Sequence, residues 1–157
     1  MKRAIVVGAT GGTGAAITEE LIKRGIPTII FGRSRQKLEQ LAVKLGSPDY
    51  LQIAVGDAFR PDDVAAASLG VDVMFHCANV PYNEMESRLI PLGESVMEAA
   101  EQLGLKVVVI DGIYPYGRRQ MNEVTEEHPK QPHLEKERPA LLMSKCYLAA
   151  NGVKRKS

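Results

Sequence analysis

Three glycines, Gly8, Gly11 and Gly14, follow the first apolar run of the chain at intervals of three residues. At a strand-to-helix turn of this kind, the first glycine permits the tight turn and the second lets backbone approach a phosphate. The third allows the helix to pack closely on the strand. We therefore predict a dinucleotide site in this loop, formed by Gly8, Thr10, Gly11, Gly12, Thr13 and Gly14. The alternative is a tight connection that binds no ligand.

Two arginines flank a serine after the second apolar run, as Arg33, Ser34 and Arg35. In a dinucleotide-binding sheet this position contacts the adenosine ribose, and a carboxylate there accepts hydrogen bonds from the 2'-hydroxyl of NAD. Guanidinium groups and a hydroxyl can instead donate to a 2'-phosphate. The sequence thus predicts NADP as the cofactor, with NAD as second choice. The alternative is that both arginines are solvated residues at the start of a helix.

Small and polar residues follow the third and fourth apolar runs, namely Asp57 and Ala58, then Ala78 and Asn79. An aspartate at this position can accept a hydrogen bond from the adenine amino group, and a small residue lets a cofactor lie against the backbone. All four are therefore predicted to bind the cofactor, although Asp57 has the alternative of holding a turn. His76 lies inside an apolar run, and we interpret it as a core residue.

Short apolar runs alternate with segments of helical period along most of the chain. Four of the apolar runs, at 4–7, 28–31, 73–75 and 107–110, are continuous, which is typical of strands buried on both faces. This pattern predicts an α/β fold: a doubly wound parallel sheet of the Rossmann type, with strand order 3-2-1-4-5, in three α/β/α layers. Strands are expected near 3–8, 27–32, 50–55, 71–77 and 105–111. Helices are expected at 14–24, 34–45, 60–69, 84–103 and 140–150, with mostly loop at 114–139.

The composition is that of one ordinary globular domain, with 45% hydrophobic and 25% charged residues among 157. A formal net charge of +1 offers no general field for nucleic acid or an anionic membrane. Cys77 and Cys146 are isolated and lack metal-ligand spacing. We expect a single domain over residues 1–157 in the cytoplasm that binds a dinucleotide, with no metal, nucleic acid or membrane partner.

Taken together, these residues resemble the short-chain dehydrogenase/reductase superfamily, in its extended and atypical branch of NAD-dependent epimerase/dehydratase-like proteins. The resemblance rests on the glycine run, the arginine turn at 32–35, Gly56 with Asp57, and the pair Tyr116-Gly117. It implies a bound NAD(P) and hydride transfer at a carbonyl or carbinol carbon of a small or sugar-like substrate. It also implies a tyrosine acid/base beside a lysine, and a homodimer formed through the helix at 84–103.

The chain departs from that family in its catalytic residues. No tyrosine lies four residues before a lysine, and Leu141 occupies the tyrosine position ahead of Lys145. Gly112 occupies the position of the family serine. Tyr114, Tyr116 and Lys145 are then the remaining candidates for catalysis, of which we select Tyr116 and Lys145. The substrate subdomain of the family is expected to be missing. Two alternatives are a catalytically silent NADP(H)-binding regulator or relic of a longer enzyme, and an interaction partner whose glycine loop is empty.

Overall fold

A computed structural model describes residues 1–120, 123, 125 and 127–150, with the backbone alone at 148–150. These residues form two compact units. The first comprises Met1–Asn79 and Glu94–Ile110, and the second comprises Val80–Gly93 and the described residues from Asp111 onward.

The first unit contains a five-stranded sheet in which every neighbouring pair of strands is parallel, in the order β3-β2-β1-β4-β5. The predicted doubly wound α/β fold and its strand order are confirmed. The strands are β1 Ala4–Val7, β2 Thr28–Gly32, β3 Leu51–Val55, β4 Val73–His76 and β5 Lys106–Val109.

Five helices accompany the strands: α1 Gly12–Lys23, α2 Arg35–Lys44, α3 Pro61–Ala67, α4 Met85–Gln102 and α5 Arg138–Ala150. Ser34 begins α2 as predicted, because its hydroxyl oxygen accepts the Lys37 N–H at 3.3 Å. Pro61 is the first residue of α3, where its missing N–H costs no helical hydrogen bond. None of the described helices is long and apolar enough to cross a membrane.

Burial on both faces of the sheet explains the continuous apolar runs. Val6 and Ile30 pack with Leu21 and Leu38 in one cluster, which is the face covered by α1 and α2. Since strand side chains alternate, Ile5 and its register neighbours point to the opposite face, and Ile5 is also fully buried. The resulting core holds the strands in register, so their carboxyl ends meet at one edge of the sheet.

The second unit combines the first turns of α4 with α5 and three short 3-10 helices, Tyr82–Glu84, Tyr114–Tyr116 and Glu135–Glu137. The last two interrupt the stretch that was predicted to be mostly loop. Side chains far apart in sequence hold this unit together. The Tyr82 ring stacks on Tyr114 with centroids 5.2 Å apart, and the Tyr82 hydroxyl donates to the buried Glu137 carboxylate at 3.2 Å.

Candidate dinucleotide-binding site

Four neighbouring strands end together at one edge of the first unit. Val7 of β1 lies beside Phe31 of β2 and His76 of β4, while Gly32 of β2 lies beside Val55 of β3. The predicted cofactor-binding residues follow these strand ends directly, so the structure brings their loops to this edge. In open parallel sheets, ligands bind there, at the point where the strand order reverses. In this sheet that point lies between β1 and β4.

Gly8 makes the turn out of β1, and the protein itself requires glycine there. Its N–H donates to the Phe31 carbonyl at 3.1 Å, and its φ of +83° is rarely adopted by other residues. A Cβ at Gly8 would lie 2.6 Å from both the backbone N and the Cα of Ala78. The first turn of the loop therefore lies directly against the backbone that follows β4, at the predicted Ala78 contact.

Gly14 brings α1 close to that turn. It is buried, and a Cβ there would collide with the Gly8 carbonyl oxygen and lie 2.9 Å from the Cα of Ala9. This is the close packing of helix on strand that the sequence analysis assigned to the third glycine. Gly8 and Gly14 are thus explained by the fold alone.

Gly11 and Gly12 are not explained by the fold. A Cβ at Gly12 would meet no protein atom within 4 Å, and one at Gly11 would make only an ordinary contact of 3.5 Å with the Gly8 carbonyl oxygen. Gly11 also has an ordinary φ of −77°. A side chain would fit at both positions in the protein by itself. A ligand that approaches the backbone closely is a physical reason for glycine at both.

The N terminus of α1 lies at these two glycines. Gly11 is the N-cap residue and supplies no side-chain hydrogen bond, and the first turn contains no acidic residue. Thr10, Gly11, Gly12 and Thr13 are exposed. The first N–H groups of a helix lack intrahelical acceptors and lie at the positive end of its dipole, so they favour an anion. This uncapped end suits the pyrophosphate of a dinucleotide.

The residues after β2 differ in their availability to a ligand. Arg33 is exposed and forms no hydrogen bond or ion pair within the described parts of the chain. Arg35 has a partner, because its Nη1 lies 3.8 Å from Glu39 Oε1 on the exposed face of α2. Ser34 Oγ accepts the capping hydrogen bond of α2, but its hydroxyl hydrogen can still donate. Of the two arginines, Arg33 is therefore the one whose guanidinium pairs with no carboxylate of the described residues and is available to an anionic ligand.

Asp57 begins the loop after β3 and holds a turn there. Its Oδ1 accepts the Phe59 N–H at 3.1 Å, and its carbonyl oxygen accepts the Arg60 N–H at 2.9 Å. The turn that the sequence analysis left as an alternative is thus present. Asp57 Oδ2 accepts no hydrogen bond from the described residues, so the carboxylate keeps capacity for a ligand. The neighbouring Ala58 is half-buried.

The end of β4 carries neutral side chains. Burial lowers the pKa of His76 to about 4, so its imidazole is uncharged near neutral pH. Burial raises the pKa of Cys77 to about 11, which keeps the thiol protonated. Ala78 is half-buried and Asn79 exposed. His76 is a core residue, as the sequence analysis interpreted it.

The two candidate catalytic residues belong to the second unit. Tyr116 is half-buried, with its ring edge-on to His128 at a centroid distance of 5.9 Å and the Lys130 ammonium 5.3 Å from its centroid. Lys130 also donates to the buried Ser144 hydroxyl at 2.7 Å. Lys145 is exposed on α5 and makes no hydrogen bond, ion pair or ring contact with the described residues. The lysine beside Tyr116 is therefore Lys130.

Lys130 does not stand four residues after a tyrosine, so the spacing that is typical of the family does not identify it. That spacing places two side chains on one face of a helix. Lys130 instead reaches Tyr116 from fourteen residues along the chain, outside any helix. No periodic pattern marks such a pair.

Within the described ranges, no group of three or more His, Cys, Asp or Glu side chains could hold a metal ion.

The parallel sheet and the uncapped glycine loop define a dinucleotide-binding domain of the Rossmann type. Comparison with known proteins agrees: the NAD(P)H-binding family matches residues 8–142. This chain belongs to that family. Binding of NAD(P) is thereby supported, while the choice between NAD and NADP is left open.

Two curated relatives match part of the chain. L-erythro-3,5-diaminohexanoate dehydrogenase of Fusobacterium nucleatum is 34% identical over 96 residues, which cover 57% of this chain and 27% of the relative. Very-long-chain 3-oxoacyl-CoA reductase-A of Danio rerio is 30% identical over 95 residues, which cover 54% of this chain and 29% of the relative. The chain thus spans less than a third of the length of either.

Among solved structures, the chain is similar to a UDP-glucose-4-epimerase from Stenotrophomonas maltophila with bound NAD. The TM-score is 0.82 at 18% identity, covering 97% of this chain and 50% of that chain. This likeness confirms the predicted resemblance to the epimerase/dehydratase-like branch at the level of the fold. The chain spans about half of the solved neighbour.

Proposed function

We propose that this chain binds NADP(H) in preference to NAD(H) and takes part in oxidoreductase chemistry at a carbonyl or carbinol carbon of a small or sugar-like substrate. The observation that carries the binding proposal is the open position of Gly12 at the uncapped start of α1. The fold does not need glycine there, whereas a pyrophosphate against the helix N terminus does.

The preference for NADP(H) is supported by Arg33. It is exposed at the end of β2 and has no ion-pair partner among the described residues, so it can donate two parallel hydrogen bonds to a 2'-phosphate. Ser34 can add its hydroxyl hydrogen. Arg35 would first have to leave Glu39. The absence of a carboxylate in the segment from Gly32 to Arg35 also removes the usual acceptor for the 2'-hydroxyl of NAD.

Each loop then has one task in holding the cofactor. The N–H groups at the start of α1, from Gly12 to Gly14, would bind the pyrophosphate. The Asp57 carboxylate would accept a hydrogen bond from the adenine amino group, and the small side chain of Ala78 would leave room beside the backbone. When bound, the cofactor supplies hydride transfer. The names of the curated relatives, a dehydrogenase and a reductase, support that reaction class.

For the chemical step, we propose that the Tyr116 hydroxyl donates a proton to the substrate oxygen and that Lys145 contacts the nicotinamide ribose. Tyrosine can give a proton to the oxygen of a carbonyl that is being reduced. If both roles are correct, Tyr116→Phe lowers kcat while leaving the dissociation constant of NADPH unchanged, and Lys145→Met raises that constant. The measurement is NADPH oxidation against a panel of aldehydes, ketones and nucleotide sugars.

Calorimetric titration of NADPH and NADH tests the binding proposal. Wild-type protein should bind NADPH more tightly, and Arg33→Ala should lose about 1 to 3 kcal/mol of that preference, which is the range for a charge-assisted contact. Arg24→Ala is the matched control, because Arg24 is an exposed arginine of the same unit that pairs with Glu20. Its preference should equal that of wild type. Negligible heats with both cofactors would refute the proposal.

A second candidate function is a catalytically silent NADP(H)-binding regulator. It is favoured by Leu141 and Gly112, which occupy the positions of the family tyrosine and serine. It predicts tight NADPH binding with no turnover on any member of the panel, and no effect of Tyr116→Phe. The two candidates are thus separated by turnover, while both require the same cofactor site.

A further inference from the structure

The loop after β3 is held by a carboxylate that the proposed cofactor contacts do not include. Asp63 lies in the first turn of α3, and its Oδ2 accepts the backbone N–H of Asp57 at 2.9 Å. The two residues are six positions apart, so this hydrogen bond ties the start of the loop to the helix that follows it. Asp63 is only partly exposed, which limits competition from water.

Further contacts keep Asp63 in this position. The Arg60 Nε lies 3.8 Å from Asp63 Oδ1, the carboxylate oxygen that does not accept the Asp57 N–H. A Cβ at Gly56 would lie 3.1 Å from the Asp63 Cβ and 2.8 Å from the Phe31 ring. Gly56 therefore leaves space for Asp63 to come close to the strand end. With its backbone N–H fixed in this way, the peptide of Asp57 cannot rotate freely.

The orientation of that peptide determines where the Asp57 carboxylate lies. The Phe59 N–H donates to Asp57 Oδ1 at 3.1 Å, so both the backbone N–H and the carboxylate of Asp57 are held by hydrogen bonds. Gly56 donates its N–H to the Gly32 carbonyl at 3.1 Å, which fixes the loop beside the residue that precedes Arg33. The two groups proposed to bind the adenosine half of the cofactor thus leave the sheet side by side.

We infer that Asp63 is a positioning residue for adenine recognition: its hydrogen bond to the Asp57 N–H holds the Asp57 carboxylate where it accepts from the adenine amino group. This inference rests on the proposed cofactor function. In this role Asp63 would act through Asp57 and would touch neither the cofactor nor the substrate. Asp63 keeps the Asp57 carboxylate in one position, so no conformational entropy of that side chain is lost when the adenosine half binds.

The test compares NADPH with its 6-desamino (purine) analogue, in which hydrogen replaces the adenine amino group. That C–H cannot donate to Asp57, so wild-type protein should bind NADPH about tenfold more tightly, as expected for one hydrogen bond to a charged group. In Asp63→Ala the ratio of the two dissociation constants should fall to about 2 or below. A residue that only stabilises the fold would weaken both ligands equally and leave the ratio unchanged.

Two further variants control the experiment. Asp62→Ala removes the preceding, exposed carboxylate from the same helical turn and should keep the wild-type ratio. Asp63→Asn retains an oxygen acceptor for the Asp57 N–H and should also keep it. If Asp63→Ala does not fold, Asp63→Glu takes its place, because its longer side chain displaces the carboxylate. It should lower the ratio as well.

The outcomes separate this inference from the proposed function. If wild-type protein binds neither ligand, the cofactor proposal itself is wrong, and this inference falls with it. If wild-type protein binds NADPH and its analogue equally, the cofactor proposal stands and the adenine contact is refuted. If wild type discriminates and the Asp63 variants discriminate equally well, Asp63 has no positioning role. Only a collapse of the ratio in Asp63→Ala or Asp63→Glu, with Asp62→Ala unaffected, supports it.

Discussion

The two units of this molecule form their polar clusters in different ways. At the sheet edge of the first unit, the candidate site consists largely of backbone: the turn at Gly8, the uncapped N terminus of α1 and the loop at Asp57. In the second unit, side chains such as Tyr116, Lys130 and the hydroxyl of Ser144 form the cluster. A backbone site depends on short segments at strand ends, whereas a side-chain cluster depends on residues distant in sequence.

The largest effect is expected where the backbone of the first unit leaves no space. Gly8→Ala forces a side chain into a left-handed conformation and against the Ala78 backbone, so we expect it to lower the free energy of unfolding by about 4 kcal/mol. Gly46→Ala is the control, because Gly46 has a φ of +80° but no atom within 4 Å of a Cβ. It should cost only about 1 kcal/mol. Equal losses in urea denaturation would show that Ala78 does not restrict Gly8.

The next effect is a pH dependence of stability that arises from His76 in the first unit. Its pKa falls from 6.5 in the unfolded chain to about 4 in the folded protein, because burial disfavours the charged imidazole. The unfolded state therefore binds a proton between these values that the folded state does not. The free energy of unfolding therefore keeps its full value above pH 6.5. It decreases as the pH falls from 6.5 towards 4, by about 3 kcal/mol in total.

Denaturant unfolding at a series of pH values measures this loss. His76→Leu should remove the decline between pH 6.5 and 4, leaving the part contributed by other groups. His133→Gln, at a more exposed histidine of the second unit, should retain it. A decline of the same size in His76→Leu and wild type would mean that another group carries the proton.

A smaller effect separates binding from folding at the glycine loop. Gly12→Val adds a side chain where the fold has open space, so its melting temperature should not fall below that of wild type. Ala16→Val, at an exposed position on the same helix, is the control and should lose only the small helix-propensity difference between alanine and valine. The added side chain lies where the pyrophosphate is proposed to bind. We expect the dissociation constant of NADPH to rise at least tenfold, or about 1.4 kcal/mol, in Gly12→Val alone. Unchanged NADPH affinity would indicate that the loop is empty.

The same contrast explains what the sequence could predict. Continuous apolar runs identified four of the five strands, because strands buried on both faces need apolar residues at every position. β3 lies at the edge of the sheet and carries an exposed Gln52, and the strand order was predicted from right-handed crossovers. The roles of Gly8 and Gly14 were also predictable, since they depend on the loop and the strand beside it. The ion pair between Arg35 and Glu39 shows the limit of prediction from sequence. A spacing of four residues in a helix permits an ion pair but does not require one.

The remaining features could not be read from local pattern. Asp63 was missed because its acceptor role depends on how the loop folds back over six residues. Lys130 was missed for the same reason at greater range, since its contacts with Tyr116 and Ser144 both span fourteen residues. Side chains with several rotatable bonds can reach many partners, and tertiary packing selects one. Sequence periodicity contains no information about that choice.

The smallest expected effect tests whether Lys130 rather than Lys145 has the structural role in the second unit. Lys130→Met removes the hydrogen bond to the buried Ser144 hydroxyl and the ammonium over the Tyr116 ring, which should lower the free energy of unfolding by about 1 kcal/mol. Lys145→Met changes an exposed residue of the same type, so its unfolding curve should overlay that of wild type. If the two substitutions cost the same, the cluster around Tyr116 does not depend on its lysine, and side-chain contacts in this unit contribute less than backbone packing does in the first.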